Sequence, residues 1–263
     1  MSDAGPSRVA RAAMAIAALA ALSVAAPAQA DRLPGARSLS DTAWGYSIVP
    51  TPVRAGAQAQ RFEVRAGDCA ANGGWDDCAR DRERSEFRPD RQWLPDEQMW
   101  IGFSMYLPDV FPVSDRVKTT IAQIHQRGGP IRVAEGLLSR PPVMQLELIG
   151  ADLRLTVHQP GAPNIQRRLA PVDDLRGRWV DVLLRHDSGP DPVIEVWLDG
   201  ERRASVQGWD MPPPEFFYFK YGIYRSFVSR QGAPMPTQIA YFDEVRMGAS
   251  RDSAWPEAMN PVD

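Results

Sequence analysis

Two-residue alternation of apolar and polar side chains, repeatedly cut short by Pro, Gly and Asp, governs most of this chain. A strand sends successive side chains to opposite faces, whereas a helix needs apolar residues three and four apart. Arg61-Phe62-Glu63-Val64-Arg65 alternates, and Met99–Leu107 reads as a mostly buried strand. Val143–Ile149 places Met144, Leu146 and Leu148 on one face; Leu153, Leu155 and Val157 share another, opposite Arg154, Thr156 and His158. Trp179–Arg185 and Val193–Leu198 follow, and Asp199-Gly200 predicts a tight hairpin turn into Glu201–Val206. Phe216–Tyr224 and Gln238–Met247 complete the set. Helical spacing is nearly absent, and 24 prolines punctuate the strands. The pattern predicts an all-β fold, a β-jelly-roll sandwich of two antiparallel sheets.

The N-terminus follows a different rule. Arg8 and Arg11 precede an Ala-rich apolar run, Ala12–Ala26, which ends in Pro27-Ala28-Gln29-Ala30. A basic start, a short apolar stretch and an Ala-x-Ala end predict a signal peptide over 1–30, and hence a secreted or periplasmic protein. The run is too short to span a bilayer comfortably, so no membrane association is expected once it is removed. Residues 31–45 lack periodicity and read as a linker, 46–263 as the single folded domain, and Ala249–Asp263 as a short tail. The excised piece carries Arg8, Arg11 and Asp3, a net +1, so the remainder of the −3 chain stands at −4. No basic run suggests a nucleic-acid partner, and a monomer is expected. Cys69 and Cys78 flank Asn72-Gly73-Gly74; in an oxidising compartment the pair predicts one disulfide, and two cysteines without nearby histidines make a poor metal set.

Three segments carry candidate chemistry: Arg82–Arg88, Gln123-Ile124-His125 and Tyr218–Arg225. Strand geometry gives Arg84, Glu86 and Arg88 a common face, likewise Gln123 and His125, and likewise Tyr218, Lys220, Gly222 and Tyr224. If those faces converge, they form a groove of Arg, Gln, His, Lys and Tyr. Such a set suits β-elimination on a uronic acid. Neutralising the sugar carboxylate lets the developing enolate accept charge, a base removes the carbon-5 proton, and an acid protonates the leaving oxygen. The scheme requires no cofactor.

The same segments resemble a known group. Arg84-Ser85-Glu86-Phe87-Arg88, Gln123-Ile124-His125 and Tyr218-Phe219-Lys220-Tyr221-Gly222-Ile223-Tyr224 look, in this order, like the heparin lyase I-like polysaccharide lyases, which include glucuronan lyases. They are also similar to the jelly-roll alginate lyases. The likeness runs from about Arg61 to Gly248, with supporting text at Phe103–Pro108, Glu195–Gly200 and Tyr241–Arg246. Alginate lyases usually follow the last Tyr with Asn-Gln; here Arg225-Ser226 stands there, which favours the heparin lyase I-like and glucuronan group. The resemblance implies a concanavalin-like jelly roll acting on an acidic polysaccharide. It makes Gln123 and Arg84 the carboxylate neutralisers, His125 a base and Tyr224 the acid. Lys220, Arg88, Arg225 and Tyr218 would bind substrate, and Glu86 would orient Arg84.

Plainer readings stand beside these. His125 could be structural, Tyr218 and Tyr224 ordinary strand aromatics, Lys220 a solvated edge lysine, and Arg84 with Glu86 a surface ion pair. His158 and His186 lie in no motif and read as structural; Trp179 and Trp197 read as core. A structural Ca²⁺, as in some jelly-roll sugar enzymes, would draw on Asp243, but without a visible ligand set a strand-end or turn aspartate is preferred. A glycoside hydrolase needs two opposed carboxylates, and a non-catalytic sugar-binding module needs aromatic platforms rather than acid–base groups.

Overall fold

The computed structural model describes residue 1 and residues 33–72, 74–129, 132–134, 137–208 and 213–256. The expected signal peptide thus lies, beyond residue 1, outside the described residues. Two large antiparallel sheets form the molecule. The first runs β1 (Gly35–Ser38), β6 (Arg82–Pro89), β18 (Phe216–Ser226), β9 (Lys118–Arg127), β12 (Met144–Ile149), β13 (Asp152–Val157) and β14 (Ile165–Pro171), with β7 (Gln92–Trp93) also paired to β18. The second runs β17 (Glu201–Gln207), β16 (Val193–Leu198), β15 (Trp179–Asp187), β8 (Gln98–Tyr106), β19 (Gln238–Gly248), β3 (Ala59–Val64) and β2 (Tyr46–Val49). Two small ribbons, β4 (Ala71–Asn72) with β5 (Trp75–Asp76) and β10 (Arg132–Ala134) with β11 (Leu137–Ser139), decorate the connections. This is the predicted jelly-roll sandwich.

Alternation decides which side chains fill the space between the sheets. On β18, Phe217, Phe219, Tyr221 and Ile223 point inward, where they are buried. They meet the second sheet through aromatic contacts: Phe62 lies 5.7 Å from Tyr221 and Phe103 lies 6.0 Å from Phe219, ring centre to ring centre. The buried Tyr221 hydroxyl donates to Gln60 Oε1 at 2.8 Å, so its polar tip is satisfied. The opposite residues of β18 therefore face outward, onto the groove.

Several expectations need correction. The linker 31–45 contains β1, which pairs with β6 from Gly35↔Pro89 to Ser38↔Glu86. Its sequence has no apolar rhythm because an edge strand is held by backbone pairing, with Arg37 tied to the Thr42 carbonyl at 2.8 Å. The sheets thus take in chain from Gly35 onward, ahead of the domain start expected at residue 46. The short β2 and the polar β14 were likewise not predicted; Gln166, Arg167 and Arg168 of β14 are exposed and leave no apolar trace. The supposed tail contains α1 (Arg251–Ala254). Ala254 and Trp255 pack on Trp100 and Trp197, whose rings lie 5.4 Å apart. Trp197 is buried in this small outer cluster and not between the sheets, and Trp179 is only half-buried, beside Tyr106. The Cys69–Cys78 disulfide is present and closes a loop that ends next to the buried Asp77.

Gly222 is a tight point of the first sheet. Its φ is +128°, and a Cβ there would stand 2.4 Å from the Ser85 carbonyl oxygen and 2.9 Å from Glu86 Cα. β18 also takes one extra residue against β9 between Tyr221 and Tyr224, and glycine absorbs the irregularity. Gly222→Ala is expected to lower unfolding stability by at least about 2 kcal/mol in urea titration. Gly232→Ala, with a φ of +74° but open space around it, should cost only about 1 kcal/mol.

Candidate active site

The outward faces of β6, β18, β9 and β12 share a groove of about 1330 Å³. Strand pairing brings the three sequence segments into rows across it. Tyr224 is opposite Arg84, Gly222 opposite Glu86, Lys220 opposite Gln123, and Tyr218 opposite His125. Gln145 of β12 continues the Gln123 row. The convergence follows from alternation together with this register.

Beneath the floor lies Glu86, only 2% exposed. Its Oε1 accepts from Gln123 Nε2 at 2.5 Å, its Oε2 accepts from Arg84 Nη1 at 3.1 Å, and Lys220 Nζ lies 3.8 Å away. Arg84 also donates through Nε and Nη2 to Asp77. Each of its three nitrogens thus binds a protein carboxylate. Its guanidinium lies 4.3 Å from the Tyr224 ring centre, under the phenol at the groove floor. Burial pushes the Lys220 ammonium down to about 8, against the pull of Glu86.

Tyr224 is buried apart from its groove edge, and its hydroxyl oxygen accepts a hydrogen bond from Arg82 Nε at 3.1 Å. Burial raises its pKa above the ordinary phenol value, opposed by Arg84 and Arg82, so at neutral pH it holds its proton. His125 stacks on Tyr218, with ring centres 5.3 Å apart and planes within 12°. On its other side Tyr218 faces the Arg88 guanidinium, 4.6 Å from its ring centre. Burial first, then the Lys220 charge, pushes the His125 imidazolium down to about 3, so the ring is neutral. Its Nδ1 lies 2.9 Å from the Gln126 N–H and 3.1 Å from the Gln126 carbonyl oxygen. Only the tautomer that donates from Nδ1 to that carbonyl leaves Nε2 with a lone pair for a proton.

Seven predicted residues therefore meet at the groove, with Glu86 just under them. Arg225 does not. It is one step out of phase with Tyr224, points into the interior, and pairs with Glu83 at 2.7 Å and the Pro236 carbonyl at 2.7 Å. Asp243 lies on the second sheet, where its carboxylate accepts backbone N–H groups of Arg54, Ala55 and Glu244. His186 is structural, accepting from Trp93 Nε1 at 3.1 Å. His158, by contrast, lines the groove and donates from Nε2 to Gln145 Oε1 at 2.8 Å. Sequence reasoning also missed Arg82, Asp77 and Gln145. Arg82 was visible by parity, since it shares a face with Arg84; Asp77 lies in an irregular loop with no such signal.

The charges carry a pH signature. Lys220 is cationic below about 8 and loses that charge above it, so binding of an acidic oligosaccharide should weaken as pH rises through about 8. Lys220→Arg should remove that dependence, measured by calorimetric titration. The His125 ring should show no imidazolium transition near ~6.5 in NMR titration of the free protein.

Comparison with known proteins places this geometry. The family model described as polysaccharide lyase matches residues 27–246. No curated protein sequence matches the chain significantly. Among solved structures, the endo-β-1,4-glucuronan lyase from the fungus Trichoderma reesei superposes with a TM-score of 0.63 at 19% identity, over 81% of this chain and 90% of that one. The marine alginate lyase AlyA1 from Zobellia galactanivorans gives 0.52 at 13% identity, over 81% and 98%. The alginate lyase from Corynebacterium sp. gives 0.52 at 17%, over 80% and 83%. At such identities the structural likeness speaks to the fold, whereas the family match spans most of the sequence: this chain belongs to the polysaccharide lyase family.

Proposed function

We propose that the groove cleaves a uronate-containing acidic polysaccharide by β-elimination and leaves an unsaturated uronate end. The observation that carries this reading is that Tyr224, His125 and Gln123 lie on one groove floor, set there by the register of β18 and β9. Gln123 holds the sugar carboxylate, with Arg84 tied beneath it to Glu86 and Asp77 as a support; Arg88, Lys220 and Tyr218 bind the chain. His125 takes the carbon-5 proton of one configuration. Tyr224 protonates the leaving oxygen and serves both steps for the other configuration. The carboxylates nearest Tyr224, Glu86 and Asp77, are buried and bound to cations, which speaks against the opposed free pair of a hydrolase.

Glucuronan is the polymer to test first, on the Arg225-Ser226 departure and the likeness to the fungal glucuronan lyase. The elimination as written needs no cofactor, and action as a monomer belongs to the same proposal. The leader-like N-terminus and the disulfide support export to the periplasm or beyond.

Tyr224→Phe keeps the ring and removes only the hydroxyl. Turnover, followed by the ultraviolet absorbance of the unsaturated product, should fall by roughly 10²-fold or more with folding intact. His125→Ala should be nearly as damaging when the cleaved uronate needs a base opposite the leaving group, and milder when Tyr224 serves both steps. Near wild-type turnover in Tyr224→Phe would remove the acid assignment. Absence of that product from every uronate polymer would remove the lyase chemistry.

A further inference from the structure

Arg82 just precedes the Arg84–Arg88 motif, and it makes the only hydrogen bond to the Tyr224 hydroxyl among the described residues, at 3.1 Å. Its Nη1 donates to the carbonyls of Arg80 and Asp81, at 2.8 and 3.1 Å. Its guanidinium lies over the Phe227 ring, 3.6 Å from the centre. Backbone and ring thus fix the side chain in place. Unlike Arg84, which Asp77 and Glu86 neutralise, Arg82 makes no ion pair with a carboxylate among the described residues. An immobilised, uncompensated cation therefore points its Nε–H at the one oxygen that must gain and lose a proton.

We propose that Arg82 is the positioning residue that turns the Tyr224 proton into the groove and holds the phenolate once that proton has left. The inference rests on the β-elimination reading above. A hydroxyl oxygen that accepts from a cationic N–H must direct its own hydrogen elsewhere, and the open side is the groove. In the step itself the Tyr224 O–H bond breaks as the leaving oxygen takes the proton and the electron pair of its bond to carbon 4. The negative charge left on Oη faces Arg82 at hydrogen-bond distance, a charge-assisted contact that strengthens as the charge develops. The carbon-5 proton of that sugar has by then gone to the base, so the phenolate recovers its proton from water or, where Tyr224 serves both steps, from carbon 5 of the next uronate to bind. The other charged groups around Tyr224 are Arg84 and Glu86 on β6 and Asp77 on the disulfide loop; with Lys220, 3.8 Å from Glu86, two cations and two carboxylates balance one another. β9 offers only the uncharged Thr120 opposite.

A double-mutant cycle tests the assignment on whichever uronate polymer the wild-type protein cleaves. Arg82→Gln should lower kcat roughly 10- to 100-fold with KM little changed, and move the alkaline limb of the kcat–pH profile up by about one unit. Combined with Tyr224→Phe, the same substitution should cost nothing further, because the group through which it acts is gone. Arg82→Lys should recover part of kcat and bring the limb part of the way back; it also serves as the test if Arg82→Gln does not fold. An equal loss in the Tyr224→Phe background, an unmoved alkaline limb, or a loss confined to KM would each overturn the proposal. Failure of the wild type to form unsaturated product would instead strike the lyase reading, so the two failures are distinguishable.

Discussion

A buried carboxylate, Glu86, organises the groove. A carboxylate lifted out of water is costly unless paired and hydrogen-bonded, and Glu86 meets that demand with Arg84, Gln123 and Lys220. Each partner is thereby fixed in direction. Gln123 is held upright between β18 and β12, Lys220 is drawn toward the floor, and Arg84 is kept flat beneath the Tyr224 ring. The anion is not a reagent. It is the template on which the polar groups are set, and it offsets positive charge that would otherwise repel within the site.

Fold and site are tied through β18. One face of that strand supplies Phe217, Phe219, Tyr221 and Ile223 to the space between the sheets, and the other supplies Tyr218, Lys220 and Tyr224 to the groove. A one-residue slip would exchange the two sets, burying the lysine and exposing the phenylalanines. The aromatic contacts with Phe62 and Phe103 therefore guard the site's register as well as the stability of the sandwich. Gly222 permits the local irregularity that sets Tyr224 beside both Arg84 and Thr120.

Alternation made much of this legible in advance. Nine strands could be read where apolar residues recur every second position, and the groove face of β6, β9 and β18 followed from the same parity. The rule failed where its physical basis is absent. β1 and β14 are edge strands held by backbone pairing, so their side chains need no rhythm. Arg225 was assigned to the groove by adjacency to the motif, although its parity with Tyr221 and Ile223 sends it inward. His158 was set aside for lack of a motif, yet it ends a strand beside Gln145. Asp77 could not be read at all, since its place beneath Arg84 depends on how an irregular loop folds back.

That loop is closed by the Cys69–Cys78 bond, nine residues apart in sequence, with Asp77 adjacent to the second cysteine. Cross-linking a short loop reduces the volume its residues explore in the unfolded chain. Arg84 lies seven residues beyond Asp77 and outside the closed loop, so the bond does not itself hold the pair together. It narrows the conformations that the loop bearing Asp77 must give up when it folds back beneath β6. Part of the entropy lost in placing the arginine's counterion is thus already gone from the unfolded chain, and a bond that takes no part in the chemistry bears on how readily the groove assembles.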